Sequence, residues 1–243
     1  MKDSLACYKD IKERKQMKGK RHKTVAGQTL SEPDLSLTRL NPIYRFDVSF
    51  HIDDKLHEIP NNPKQMQQAL DYLQGQLLNP DEVDRRVQAR LYGLIGVYSR
   101  ILGDFCQARE ALMAAIALSK ELKDLRLLAL NLLRLAQVYQ WQHQYDFSDR
   151  LIEKALGYYT SNPALSDCLD FAYQYAGKCK FEQQQYEQAQ WYFEEALAIR
   201  QRRGNPSLLK ATQLVLNITQ KRLASNQLPV NSKQLAGISY QLM

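Results

Sequence analysis

The run Tyr186-Glu187-Gln188-Ala189-Gln190-Trp191-Tyr192-Phe193-Glu194-Glu195-Ala196-Leu197 decides the fold. Ala189, Phe193 and Ala196 stand four and three positions apart, the spacing that aligns side chains on one face of an α-helix. A second pair of marks lies upstream, where Tyr173, Ala176 and Gly177 put small residues in the middle of another helical stretch. Polar Gln184-Gln185 separates the two stretches. Two helices cross closely only where both lack bulk, so Gly177 and Ala189 mark a crossing point, and the large neighbours fill the grooves around it.

The same order of large and small residues occurs twice before. Tyr92, Ile95, Gly96, Phe105, Ala108, Leu112 and Ala115 form the first set; Leu132, Leu135, Ala136, Tyr145, Ser148, Ile152 and Ala155 form the second. Every position recurs 40 residues on in the first step and 41 in the second. Glycine inside a helix costs about 1 kcal/mol against alanine, and close helix packing is a sufficient reason for Gly96 and Gly177.

This pattern resembles the tetratricopeptide repeat. The Gly103-Asp104-Phe105 turn and the run 186–197 carry the likeness, which covers residues 86–203. Ser148 departs from the expected alanine, the closing proline is missing from all three units, and the spacing exceeds the usual 34 residues. The long spacing resembles repeats of kinesin light chains, bacterial peptide-sensing regulators and regulatory domains fused to output modules. The resemblance implies an all-α superhelical solenoid with repeats over about 86–124, 125–164 and 165–203. Pro63–Leu78 and residues 207–224 then read as capping helices, needed because each repeat buries its face only against neighbours.

Outside the array the chain changes character. Residues 1–23 hold nine basic and three acidic side chains, so +6 of the net +7 sits in this segment and the other 220 residues are nearly neutral. Residues 24–44 read as linker, giving a flexible basic tail over 1–44. Residues 45–59 alternate apolar and polar briefly and fit either an extended segment or a short helix. The stretch 225–243 is a polar tail with room for a short helix at 232–241.

Composition excludes several classes. No apolar run approaches the roughly 18 residues of a membrane span, and no secretory signal follows Lys2 and Asp3. The four cysteines (Cys7, Cys106, Cys168 and Cys179) lack metal-type spacing and fit a reducing cytoplasm. Phosphate-loop, GxSxG and HExxH motifs are absent, and no cofactor or enzymatic activity is expected. His51, Asp53, Asp54, His57 and Glu58 form the densest polar group; their mixed spacing favours a solvated segment over a metal site.

Binding is therefore the expected function. First helices line the concave side of such solenoids, as the resemblance implies. The inner stripe is Arg90, Gly93, Val97 and Arg100, then Arg134, Gln137, Gln140 and Trp141, then Gln174, Lys178 and Phe181. Its cations, amides and aromatics suit a protein or peptide segment carrying acidic groups. Neither Arg134 nor Trp141 falls on a packing position, so both are expected on a free face. The Lys and Asn set of chaperone-binding members is not matched. An adaptor or regulatory repeat protein is the first reading; a peptide-sensing signalling regulator is the second. A nucleic-acid-associated protein acting through the basic tail is the third, weakened by the lack of aromatics other than Tyr8.

Overall fold

The computed structural model describes residues 45–78, 81 and 83–227. The basic segment, the linker and the stretch from 228 onward lie outside the described residues. A small antiparallel hairpin comes first, with β1 at Phe50–Ile52 and β2 at Glu58–Pro60. Eight α-helices follow among the described residues: α1 Pro63–Gly75, α2 Arg85–Ile101, α3 Phe105–Glu121, α4 Leu125–Trp141, α5 Tyr145–Ser161, α6 Leu169–Glu182, α7 Tyr186–Arg203 and α8 Pro206–Gln227. A 3-10 turn, Pro163–Cys168, leads into α6.

The helices pack in antiparallel pairs, α2 with α3, α4 with α5 and α6 with α7. Successive first helices α2, α4 and α6 also touch one another, which stacks the pairs into a solenoid. The starts are set by acidic caps: the Asp84, Asp104 and Asp124 carboxylates accept backbone N–H bonds from the first turns of α2, α3 and α4. Asn62 does the same for α1, with Pro63 in the first turn.

The turn inside each repeat has one backbone form. Gly103, His143 and Gln184, equivalent positions, have φ of 90°, 58° and 62°. In each, the following N–H reaches back five residues: Asp104 to Ser99, Gln144 to Tyr139, Gln185 to Lys180. This is the left-handed helix terminus that satisfies the last carbonyls. Only the first repeat supplies glycine for it.

The crossing points are as tight as the small residues suggest. A Cβ on Gly177 would lie 2.5 Å from the Phe193 ring, and one on Gly96 would strike the Leu112 side chain. Ala108, Ser148 and Ala189 are fully buried opposite. The serine that departs from the repeat pattern is satisfied, because its Oγ lies 3.3 Å from the Cys179 Sγ of α6. Burial pushes the Cys179 thiol up to about 11.

Residues 45–59, left open between strand and helix, form the hairpin. Phe50 pairs with Pro60 and Ile52 with Glu58, so Phe50 and Glu58 face inward while His51 and Ile59 face out. Asp53 closes the turn, its carboxylate accepting from the N–H groups of Lys55 and His57. Leu56 takes a φ of 66° at the tip.

Candidate functional site

The three first helices α2, α4 and α6 carry the polar stripe, on the face expected to be the inner one. The spacing of three and four brings Val97 and Arg100 to the same side of α2, Arg134 and Trp141 of α4, and Lys178 and Phe181 of α6. The expectation of a free face does not hold. Arg100 is 1% exposed, Lys178 2% and Arg134 5%; Val97, Gln137, Gln140, Gln174 and Phe181 are buried, and Arg90 and Trp141 half-buried. For Arg100, Lys178 and Phe181 the physical reason is the hairpin, which lies against them; Arg134 is buried against Gly93 and Asn131, and Gln174 against Arg200 and Thr212.

Glu58 is the centre of that contact. Its Oε2 accepts from Arg100 Nη1 at 2.8 Å and its Oε1 from Lys178 Nζ at 2.6 Å. The two cations come from the first and third repeats, 42 and 120 residues away in sequence. Burial alone would push the Glu58 carboxyl up. The Arg100 guanidinium and Lys178 ammonium outweigh that and hold it well below the usual carboxylate range.

Trp141 completes the seat from the second repeat. Its ring stacks on the His57 imidazole with centroids 4.3 Å apart, and Arg100 lies over it at 4.4 Å. His57 Nε2 in turn pairs with the Glu182 carboxylate of α6. Leu56 inserts among Phe181, Phe193, Val215 and Leu216, so Phe181 is core beneath the hairpin tip. Val97 packs with Val48 and Phe50 at the other end of the hairpin. Asp54 pairs with Arg222 of α8.

Other predicted residues serve other contacts. Gln174 Oε1 accepts from Arg200 and lies 3.3 Å from the Thr212 hydroxyl, within a buried network in which Asp170 pairs with Arg200 at 2.8 Å and with Arg203 at 3.0 Å. That network attaches α8 to α6 and α7. Arg134 Nη1 donates to Asn131 Oδ1 at 3.1 Å, and Gly93 of α2 leaves the room: a Cβ there would lie 2.5 Å from the guanidinium. Gln137 and Gln140 are buried further along α4, and Arg90 lies near the start of α2.

The polar group at 51–58 is shared out among unlike partners. His51 contacts Asn61 at 2.9 Å, Asp53 caps its own turn, Asp54 meets Arg222, His57 meets Glu182, and Glu58 meets two cations. Among the described residues no three of His, Cys, Asp and Glu gather as metal ligands would. Sequence reasoning missed Glu58 as a groove residue. The available signal was one acid in a short alternating stretch, facing a stripe of cations.

No protein-family profile and no curated protein matches the chain. Solved structures do. BtubC (BKLC) from P. vanneervenii matches with a TM-score of 0.50 at 20% identity, over 66% of this chain and 65% of that one, so less than two thirds of that protein is spanned. MamA matches at 0.40 and 18% identity over 84% of this chain and 96% of that one. A Podospora anserina protein of the kinesin light chain kind, with nearly identical TPR-like repeats, matches at 0.41 and 15% over 80% and 95%. The fold is the tetratricopeptide-type helical solenoid. Within it no helix among the described residues is long and apolar enough to cross a membrane.

Proposed function

We propose that this solenoid is a protein-binding scaffold whose inner face takes an extended, acid-bearing segment of a partner. One observation carries the reading: that face already holds such a segment in cis, with Glu58 between Arg100 and Lys178 and His57 flat on Trp141. A carboxylate bonded to two cations from separate repeats, beside an aromatic platform, is the chemistry of peptide capture in a groove. The repeat scaffold supplies the positions; the hairpin supports an acid-bearing segment as their ligand.

A labelled synthetic peptide of residues 53–62, titrated into the full chain by fluorescence anisotropy, tests this. Saturable binding is expected, weakened about 30-fold by Trp141→Ala, which removes one anchor of about 2 kcal/mol. The outer-face pair Glu153→Ala with Lys154→Ala should bind as wild type. Absence of binding at millimolar peptide sinks the reading, as does loss of binding in the outer-face pair alone. Melting curves identify any variant that loses affinity by unfolding.

The peptide-sensing reading has its own support. The hairpin touches α2 through Glu58 and α8 through Leu56 and Asp54, so it bridges both ends of the superhelix. Replacing it with a partner would free the curvature, which small-angle scattering with and without the peptide would detect.

A further inference from the structure

The inner face holds a second buried cation that the hairpin leaves without an acid. Arg134 is 5% exposed, and among the described residues no carboxylate pairs with it. Among the described residues its guanidinium donates to the neutral Asn131, and its Nε meets no acceptor. A buried charge without a counter-charge is costly. Here the cost is built in, because Gly93 clears the space in which the guanidinium sits and Asn131 holds it there. Asn131 itself is fully buried, its amide 3.5 Å from the Ser119 hydroxyl.

We infer that Arg134 is the seat for a second carboxylate, and that the partner is an extended segment with two acidic side chains that displaces the hairpin, which offers this face Glu58 alone. This rests on the function proposed above and specifies its ligand. The first carboxylate takes the place of Glu58 between Arg100 and Lys178. The second reaches the guanidinium that Glu58 leaves unanswered. The hairpin and the partner compete for one surface, and the extra ion pair tips the balance.

The spacing follows from the helix. Arg134 is drawn back toward Asn131, ten residues along α4 from Trp141, which at 1.5 Å per residue is about 15 Å. Glu58 sits at the Trp141 end, since Arg100 lies against that ring. Four residues of extended chain cover about 13 Å and return to the same face of the strand. The two acids therefore stand four positions apart.

The probes are blocked synthetic peptides based on residues 55–62, which carry one acid, Glu58. The first has Asn62→Glu, an acid four positions after Glu58. The second extends the native sequence to Asp54, four positions before it. The control has Asn61→Glu, three positions after it and on the opposite face. All are titrated against the full chain, with amide hydrogen exchange of residues 50–59 followed at saturation.

One of the four-step peptides should bind about tenfold tighter than the control, equivalent to 1.4 kcal/mol. Exchange of the hairpin amides should quicken when it binds. In Arg134→Gln the ratio between these two peptides should fall to about one, while Arg134→Lys keeps part of it. Equal affinities in the wild-type protein overturn the inference and leave the single-acid groove standing. So does a ratio that survives Arg134→Gln, or hairpin exchange that does not change on binding. If no peptide binds, the proposed function itself fails and this inference with it. The wild-type comparison decides the matter even if Arg134→Gln does not fold.

Discussion

Glu58→Gln isolates the contact on which the inner face depends. The change keeps the shape of the side chain and removes its charge. Arg100 and Lys178, 1% and 3% exposed at their side chains, then face each other across a neutral amide. Breaking a buried ion pair by removing one partner costs about 3–5 kcal/mol, and Glu58 answers two cations at once. Lys178→Met is the informative companion, since it leaves the neutral pair Glu58–Arg100 at 2.8 Å. It should cost less than Glu58→Gln. Urea denaturation followed by both tryptophan fluorescence and helical circular dichroism reads the two losses. Trp141 stacks on His57 of the hairpin, so with the exposed Trp191 changed to Phe its signal should shift to lower urea by more than the helical signal does. A loss below about 1 kcal/mol for Glu58→Gln, or a larger loss for Lys178→Met, would refute the electrostatic account of the groove.

Other consequences are as direct. The Glu58 carboxyl is held below the usual range, so its stabilisation is full above an ordinary Glu pKa of about 4.3 and is lost as pH falls through the folded value; the deficit of Glu58→Gln should shrink by about 1–2 kcal/mol between pH 7 and pH 3 in paired melts. Ala189→Leu should cost about 1–3 kcal/mol or more by overpacking a fully buried crossing, whereas Gln188→Leu, on the exposed side of α7, should be nearly neutral. Gly157→Ala in α5 meets nothing within 4 Å and should gain about 0.5–1 kcal/mol, while Gly96→Ala should destabilise because of Leu112. His143→Gly and Gln184→Gly should each stabilise by about 1 kcal/mol, by relieving a left-handed backbone that glycine adopts freely; unchanged melting temperatures would contradict this.

The array was legible because its signals are local and repeated. Gly96 and Gly177 announce the crossings, and Asp104 with Gly103 announces one turn. His143 and Gln184 show why a single unit would have misled: neither residue advertises a left-handed backbone, and only register with Gly103 exposes it. The inner stripe was legible as a set of residues and illegible as a surface. Arg, Lys and Gln on one side of a helix read as wet, and what covers them lies up to 120 residues away. The hairpin itself gave little: its strands are three residues each, too short for alternation to declare itself. Glu58 became meaningful only where the fold brought two cations to it.

A solenoid ordinarily couples each repeat to its neighbours alone. The hairpin breaks that rule here. Glu58 links the first and third repeats, His57 adds the second, and Leu56 and Asp54 reach the terminal helix α8. Stability is thereby shared between the first and third repeats, which stand on either side of the second. Any segment that replaces the hairpin takes over part of this coupling and releases the rest. On the proposed function, binding at the inner face and cohesion of the array are one equilibrium, in which the Arg100–Glu58–Lys178 contact sets the threshold a partner must exceed and the guanidinium of Arg134 supplies the means of exceeding it.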